Sequence, residues 1–129
     1  MKISELIDRT VDSEEVHSIV QDIHRDSDDF EEGDLSDRIY NFDEYKLVAF
    51  PINKLNLTEW DVDDGMVKDF MEEISKNKDS MPPIVYDPVH KSIIDGIHRA
   101  NAFNNLGYTH IPAYVGSKKS SWFEANTEM

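Results

Sequence analysis

Asp95, Gly96, His98 and Arg99 stand within five consecutive residues, bringing together a carboxylate, a position without a side chain, an imidazole and a guanidinium. That set suits an anion. A guanidinium presents a planar fork to phosphate oxygens, an imidazole can change charge near neutral pH, and a glycine lets backbone amides approach a ligand closely. Before them, Ile93 and Ile94 are β-branched and apolar, which suits a short buried strand. After them, Ile97, Ala100, Phe103 and Leu106 recur at a helical period, and Gly107 supplies a C-terminal stop. The segment therefore reads as strand, tight turn, helix, with the turn amides, His98 and Arg99 facing outward at the positive end of the helix dipole, where phosphate is favoured. A plainer reading stands beside it. Asp95 would be the helix N-cap, Gly96 a packing residue, His98 a surface residue and Arg99 a partner for one of the many carboxylates.

The elements that must hold this corner are legible in outline. Tyr45, Leu47, Val48, Ala49 and Phe50 form a strand ended by Pro51. Val67, Phe70, Met71 and Ile74 mark one face of a helix, and Pro82-Pro83 breaks the chain after it. Strands at Ile84 to Tyr86 and Ser92 to Ile94 flank a hairpin-like connection at Asp87 to Lys91, and His110 to Val115 gives a last strand. Upstream, Ile3, Leu6 and Ile7 suggest a short amphipathic helix. Asp12 with Glu15 makes a capping-box-like start for another, whose Val16, Ile19, Val20 and Ile23 form a stripe that must dock on something. The predicted fold is α+β: a small mixed sheet with packed helices over residues 45–116, an acidic helical extension over 1–44 and a tail over 117–129. The tail carries Lys118, Lys119, Trp122 and Phe123, which fold back over the site or cap the core.

Composition narrows the functions. The 129 residues carry a net charge of −14 and no cysteine, so disulfides, thiol chemistry and thiolate-bound zinc are excluded. Residues 1–44 hold 15 acidic against 4 basic residues, and residues 45–129 hold 12 against 9. The acidity belongs to the first third, and the chain as a whole disfavours tight, non-specific binding to a nucleic-acid backbone. Residues 1–44 would instead serve a protein partner. His17 and His24, two helical turns apart, are farther apart than one ion normally spans, so both read as solvent-facing or partly packed and no protein metal site is expected. The acidic run from Asp26 to Asp37 lacks the ligand order of a calcium loop and reads as solvated. With no apolar run of membrane length and no signal-peptide pattern, a cytoplasmic protein is expected.

Asp95-Gly96-Ile97-His98-Arg99, with Ala100, Leu106-Gly107 and Ile111-Pro112 downstream, resembles the ParB/sulfiredoxin superfamily. Ile52-Asn53-Lys54-Leu55, the helix around Val67 to Lys76 and Pro83-Ile84-Val85 extend the resemblance over roughly Tyr45 to Gly116. The resemblance implies a nucleotide site in the turn, with Gly96, His98, Arg99 and Asn101 binding a nucleotide (ATP, ADP or CTP) and Mg²⁺ accompanying it. Sulfiredoxins carry a catalytic cysteine where this chain has Ile97, which excludes their activity. Chromosome-partitioning ParB proteins add a helix-turn-helix domain, for which this chain is expected to be too short. The turn is most similar to that of free serine kinases. That similarity implies Glu59, Asp95 and His98 as catalytic residues, with Asp61 or Asp63 as substitutes for Glu59, acting on a small hydroxyl-bearing substrate by phosphotransfer or NTP hydrolysis. The alternatives are a ParB-like nuclease and a non-catalytic nucleotide-gated or acidic interaction module.

Overall fold

The structure, a computed structural model, describes residues 9–24 and 37–127. The expected helix at Ile3 to Ile7 and nearly all of the acidic run lie outside them. In chain order the elements are β1 (Thr10–Asp12), α1 (Ser13–Ile23), β2 (Phe42–Pro51), α2 (Asp64–Lys76), β3 (Ile84–Asp87), β4 (Ser92–Asp95), α3 (Ile97–Asn105), β5 (His110–Lys119) and α4 (Ser121–Thr127), with single 3-10 turns at Ile52–Lys54 and Lys78–Ser80. The five strands form one sheet in the order β1-β2-β5-β3-β4. Neighbours run antiparallel except β3 and β5, which pair in parallel from Ile84 opposite Ala113 to Tyr86 opposite Val115. The fold is therefore α+β with a mixed sheet.

Both faces of this sheet are covered, and strand alternation sends neighbouring residues to different cores. Ile84, Tyr86, Ile93, Ile111 and Ala113 join Ile97, Ala100 and Phe103 of α3 and Val67 and Ile74 of α2. Val85, Ile94, Tyr114, Tyr45 and Leu47 join Val11 of β1, Val16 and Val20 of α1, and Phe123 of α4. The docking of the α1 stripe is thus observed, with Val16 and Val20 fully buried and Asp12 capping the helix by accepting the Glu15 amide at 2.8 Å.

The expected segment boundaries shift. β1 comes from the acidic extension and pairs with β2 from Thr10 opposite Lys46 to Asp12 opposite Glu44, β2 starts at Phe42, and β5 runs on to Lys119. Gly116 permits that continuation beside β2, because a Cβ there would lie 2.5 Å from the Phe42 ring. The tail caps the second core rather than the site: Phe123 is buried against Phe42, while Trp122 is exposed. No described helix is long and apolar enough to cross a membrane.

Candidate functional site

Strand β4 ends at Asp95 and α3 starts at Ile97, so Gly96 alone turns the corner. Its φ of +108° lies in the left-handed region, and a Cβ there would stand 2.6 Å from Ile84 Cγ2 and 2.9 Å from Arg99 Nη2. Only glycine fits. Gly96, not Asp95, is the N-cap, and it supplies no side-chain hydrogen bond, so the first amides of α3 are left without the carboxylate caps that Asp12 and Asp63 give α1 and α2.

Arg99 does not face outward as expected. Its side chain is 4% exposed and folds back behind the turn, where Nη2 donates to the Pro83 carbonyl at 3.1 Å and to Asp95 Oδ2 at 3.3 Å. Arg99 Nε is buried with no hydrogen-bond partner among the described residues. Packing explains the inward turn: on a nine-residue helix laid against the sheet, position 99 falls on the side of Ala102 and Phe103, three and four residues on, which are themselves buried.

Asp95 is engaged on both oxygens. Oδ2 takes Arg99, and Oδ1 accepts from His24 Nε2 at 2.7 Å. Burial alone would raise its pKa, but the Arg99 guanidinium and the His24 hydrogen bond outweigh burial and hold the carboxyl below the usual carboxylate range. His24, expected to face solvent or pack partly, is partly packed and ties the end of α1 to the turn across 71 positions of sequence. Nothing in the helical pattern marks that role, because His24 sits at the C-cap, after the periodic stretch ends.

The other expected site residues fasten one loop, residues 57–63, across the end of β4 and the start of α3. Glu59 Oε1 accepts the Ile93 amide at 2.6 Å, and the neighbouring Trp60 Nε1 donates to the Ile93 carbonyl at 3.1 Å. Two side chains thereby imitate a neighbouring strand at the open edge of the sheet. Asn101 Nδ2 donates to the Leu57 and Ile97 carbonyls, each at 2.9 Å. His98 Nε2 accepts the Asp63 amide at 3.1 Å, which requires a neutral ring with its proton on Nδ1. Burial pushes the His98 pKa below its ordinary value against the opposing pull of Asp63. Asp61 and Asp63 are exposed, and Asp63 caps α2 through the Gly65 and Met66 amides.

Two further residues complete the surroundings. Arg38 donates from Nη2 to Ser92 Oγ at 3.1 Å, and its guanidinium carbon lies 5.4 Å from the centre of the Trp60 ring. A large aromatic in an otherwise polar loop was the only sequence signal for Trp60. Among the described residues, no three histidine, aspartate or glutamate side chains gather as metal ligands. Asp95 and Glu59 do not fit a protein-held Mg²⁺ beside the turn, since three of their four oxygens already accept hydrogen bonds.

No family model matches the chain, and no curated protein matches it. Among solved structures, sulfiredoxin from Arabidopsis thaliana is similar to it at 22% identity and a TM-score of 0.46, covering 64% of this chain and 97% of that one. A Pnob8-like ParB-N domain is similar at 18% identity and a TM-score of 0.43, again over 64% of this chain; the match takes in 34% of that longer one.

Proposed function

We propose that the Asp95–Arg99 turn binds the phosphates of a nucleotide and that the chain is a nucleotide-binding domain. One observation carries the reading: the uncapped amides of α3 and the unpartnered Nε of a buried Arg99 belong to the same corner, turned by a glycine at positive φ packed against Ile84 and Arg99. The first amides of α3 and the Nε of Arg99 are donors without acceptors, and a phosphate supplies acceptors and negative charge together. The sequence resemblance adds the ligand class, a nucleoside di- or triphosphate such as ATP, ADP or CTP, with any Mg²⁺ arriving on the phosphates.

Binding is better supported than turnover. Asp95 has both oxygens occupied, and Glu59 has one on Ile93, so neither is a free base for a hydroxyl nucleophile. Phosphotransfer or NTP hydrolysis stands as the second reading because Glu59 Oε2 has no hydrogen-bond partner among the described residues and could orient a water or a small alcohol. His98 would enter as a neutral donor from Nδ1 rather than as a cation.

Isothermal titration of the full chain with ATP, CTP and inorganic tripolyphosphate tests the proposal. Arg99→Lys keeps the charge facing Asp95 and loses the fork and its Nε. A charge-assisted hydrogen bond is worth about 1.5 to 3 kcal/mol, so this variant should bind roughly tenfold to a hundredfold more weakly while keeping its circular dichroism. Unchanged affinity in Arg99→Lys, or no binding of any of the three ligands to the wild type, overturns the phosphate site. Steady release of phosphate from ATP, abolished in Glu59→Gln, would favour the second reading.

A further inference from the structure

Trp60 is 48% exposed, yet its ring is held at two points, by the Nε1 bond to the Ile93 carbonyl and by the Arg38 guanidinium over its face. Closing the edge of β4 accounts for the indole N–H. It does not account for leaving half of a large aromatic side chain in water, which costs hydrophobic free energy that burial would recover. A rigid, half-exposed indole is the kind of surface on which planar aromatic ligands stack, because fixing the ring in advance removes the ordering cost at binding.

Its position relative to the turn identifies the ligand. Ile93 precedes Gly96 by three residues along an extended strand, which places the Trp60 anchor on the order of 10 Å from the α3 amides. In a nucleotide, the ribose and the first phosphate lie between the base and the next phosphate, so base and phosphates are held apart by a spacer that such a gap requires. We propose that Trp60 is the stacking platform for the base of the nucleotide whose phosphates occupy the Asp95–Arg99 turn, with Arg38 fixing the ring. This rests on the phosphate site proposed above and extends it from phosphate to nucleoside. Stacking uses the π-face that every base shares, so the platform binds purines and pyrimidines alike, purines more tightly through their larger overlap.

Inorganic tripolyphosphate, which has no base, separates the two claims. Trp60→Ala should weaken ATP binding roughly 5-fold to 100-fold and leave tripolyphosphate affinity unchanged. Trp60→Phe keeps a ring but lacks the N–H, so it should retain most of the ATP affinity; a loss equal to that of Trp60→Ala in a folded protein would mean that Trp60 acts only through Ile93 and would overturn the platform. Trp60 and Trp122 are the only tryptophans, so Trp122→Phe leaves Trp60 as the sole indole fluorophore. Its emission should be quenched by ATP and not by tripolyphosphate. Tripolyphosphate binding with ATP no tighter, or ATP affinity unchanged in Trp60→Ala, overturns the platform and spares the phosphate site. If neither ligand binds, both claims fail.

Discussion

Asp95 is the charge on which the corner depends, since one carboxylate accepts from a helix C-cap on one side and from a buried guanidinium on the other. With its folded pKa below the unfolded one, the stabilisation is complete above the ordinary carboxylate pKa and is lost as pH falls through the folded value. Wild-type stability should therefore decline on acidification below about pH 4. Asp95→Asn removes the charge facing Arg99 and should cost on the order of 3 kcal/mol at neutral pH, because it leaves a buried cation without its counter-charge. Its stability should also depend less on pH in the acid range. Urea titrations of both proteins at several pH values check this, and parallel pH profiles would show that Asp95 is not the group responsible. The strand, glycine turn and helix of this corner were legible in the sequence, but the inward turn of Arg99 was not. A charged side chain reads as surface in a sequence, and only the pairing of Arg99 with Asp95 and Pro83 makes its burial tolerable.

The loop over residues 57–63 shows how residues of catalytic type can be taken up by architecture. β4 is an edge strand, and an exposed edge with open amides and carbonyls invites pairing with another chain. Glu59 and Trp60 satisfy both polar groups of Ile93, while Asn101 and His98 hold the two ends of the loop. Glu59→Ala should accordingly speed hydrogen exchange of the Ile93 amide, by roughly tenfold for a charge-assisted bond worth about 1.5 kcal/mol. Asp61→Ala, in the same loop but exposed, should leave that amide as protected as in the wild type. Equal protection of Ile93 in all three proteins would show that the loop does not guard the edge. The strands and helices around this loop were read correctly in type and order, because alternation and helical spacing are local signals. The loop's own role could not be read, since it depends on side chains reaching a backbone 33 and 34 positions away.

At the scale of the whole molecule, the sheet is buried on both faces, and the second face depends on the amino-terminal third. α1 contributes Val16 and Val20, β1 contributes Val11 and a set of strand pairs with β2, and His24 links the same helix to the turn. The apolar stripe of α1 was readable as a face in need of a partner; β1 was not, because an alternation only three residues long carries no strand signal until β2 is there to pair with it. An acidic extension serving only as a solvated surface could be removed without consequence. This one cannot. Deleting residues 1–25 would uncover Tyr45, Leu47 and Tyr114, each 7% exposed or less in the intact fold, and would take His24 from Asp95. Each fully exposed large side chain forfeits about 1.5 to 3 kcal/mol of burial, which together rivals the whole stability of a domain of this size. The truncated chain should therefore melt more than about 10 °C lower or fail to unfold cooperatively. In the full chain, Val16→Ala alone should lower stability by about 1 to 2 kcal/mol through the cavity it leaves. Calorimetry of the two variants beside the wild type decides the matter: a truncated chain that keeps the wild-type melting temperature would mean that the first third does not belong to the folded core.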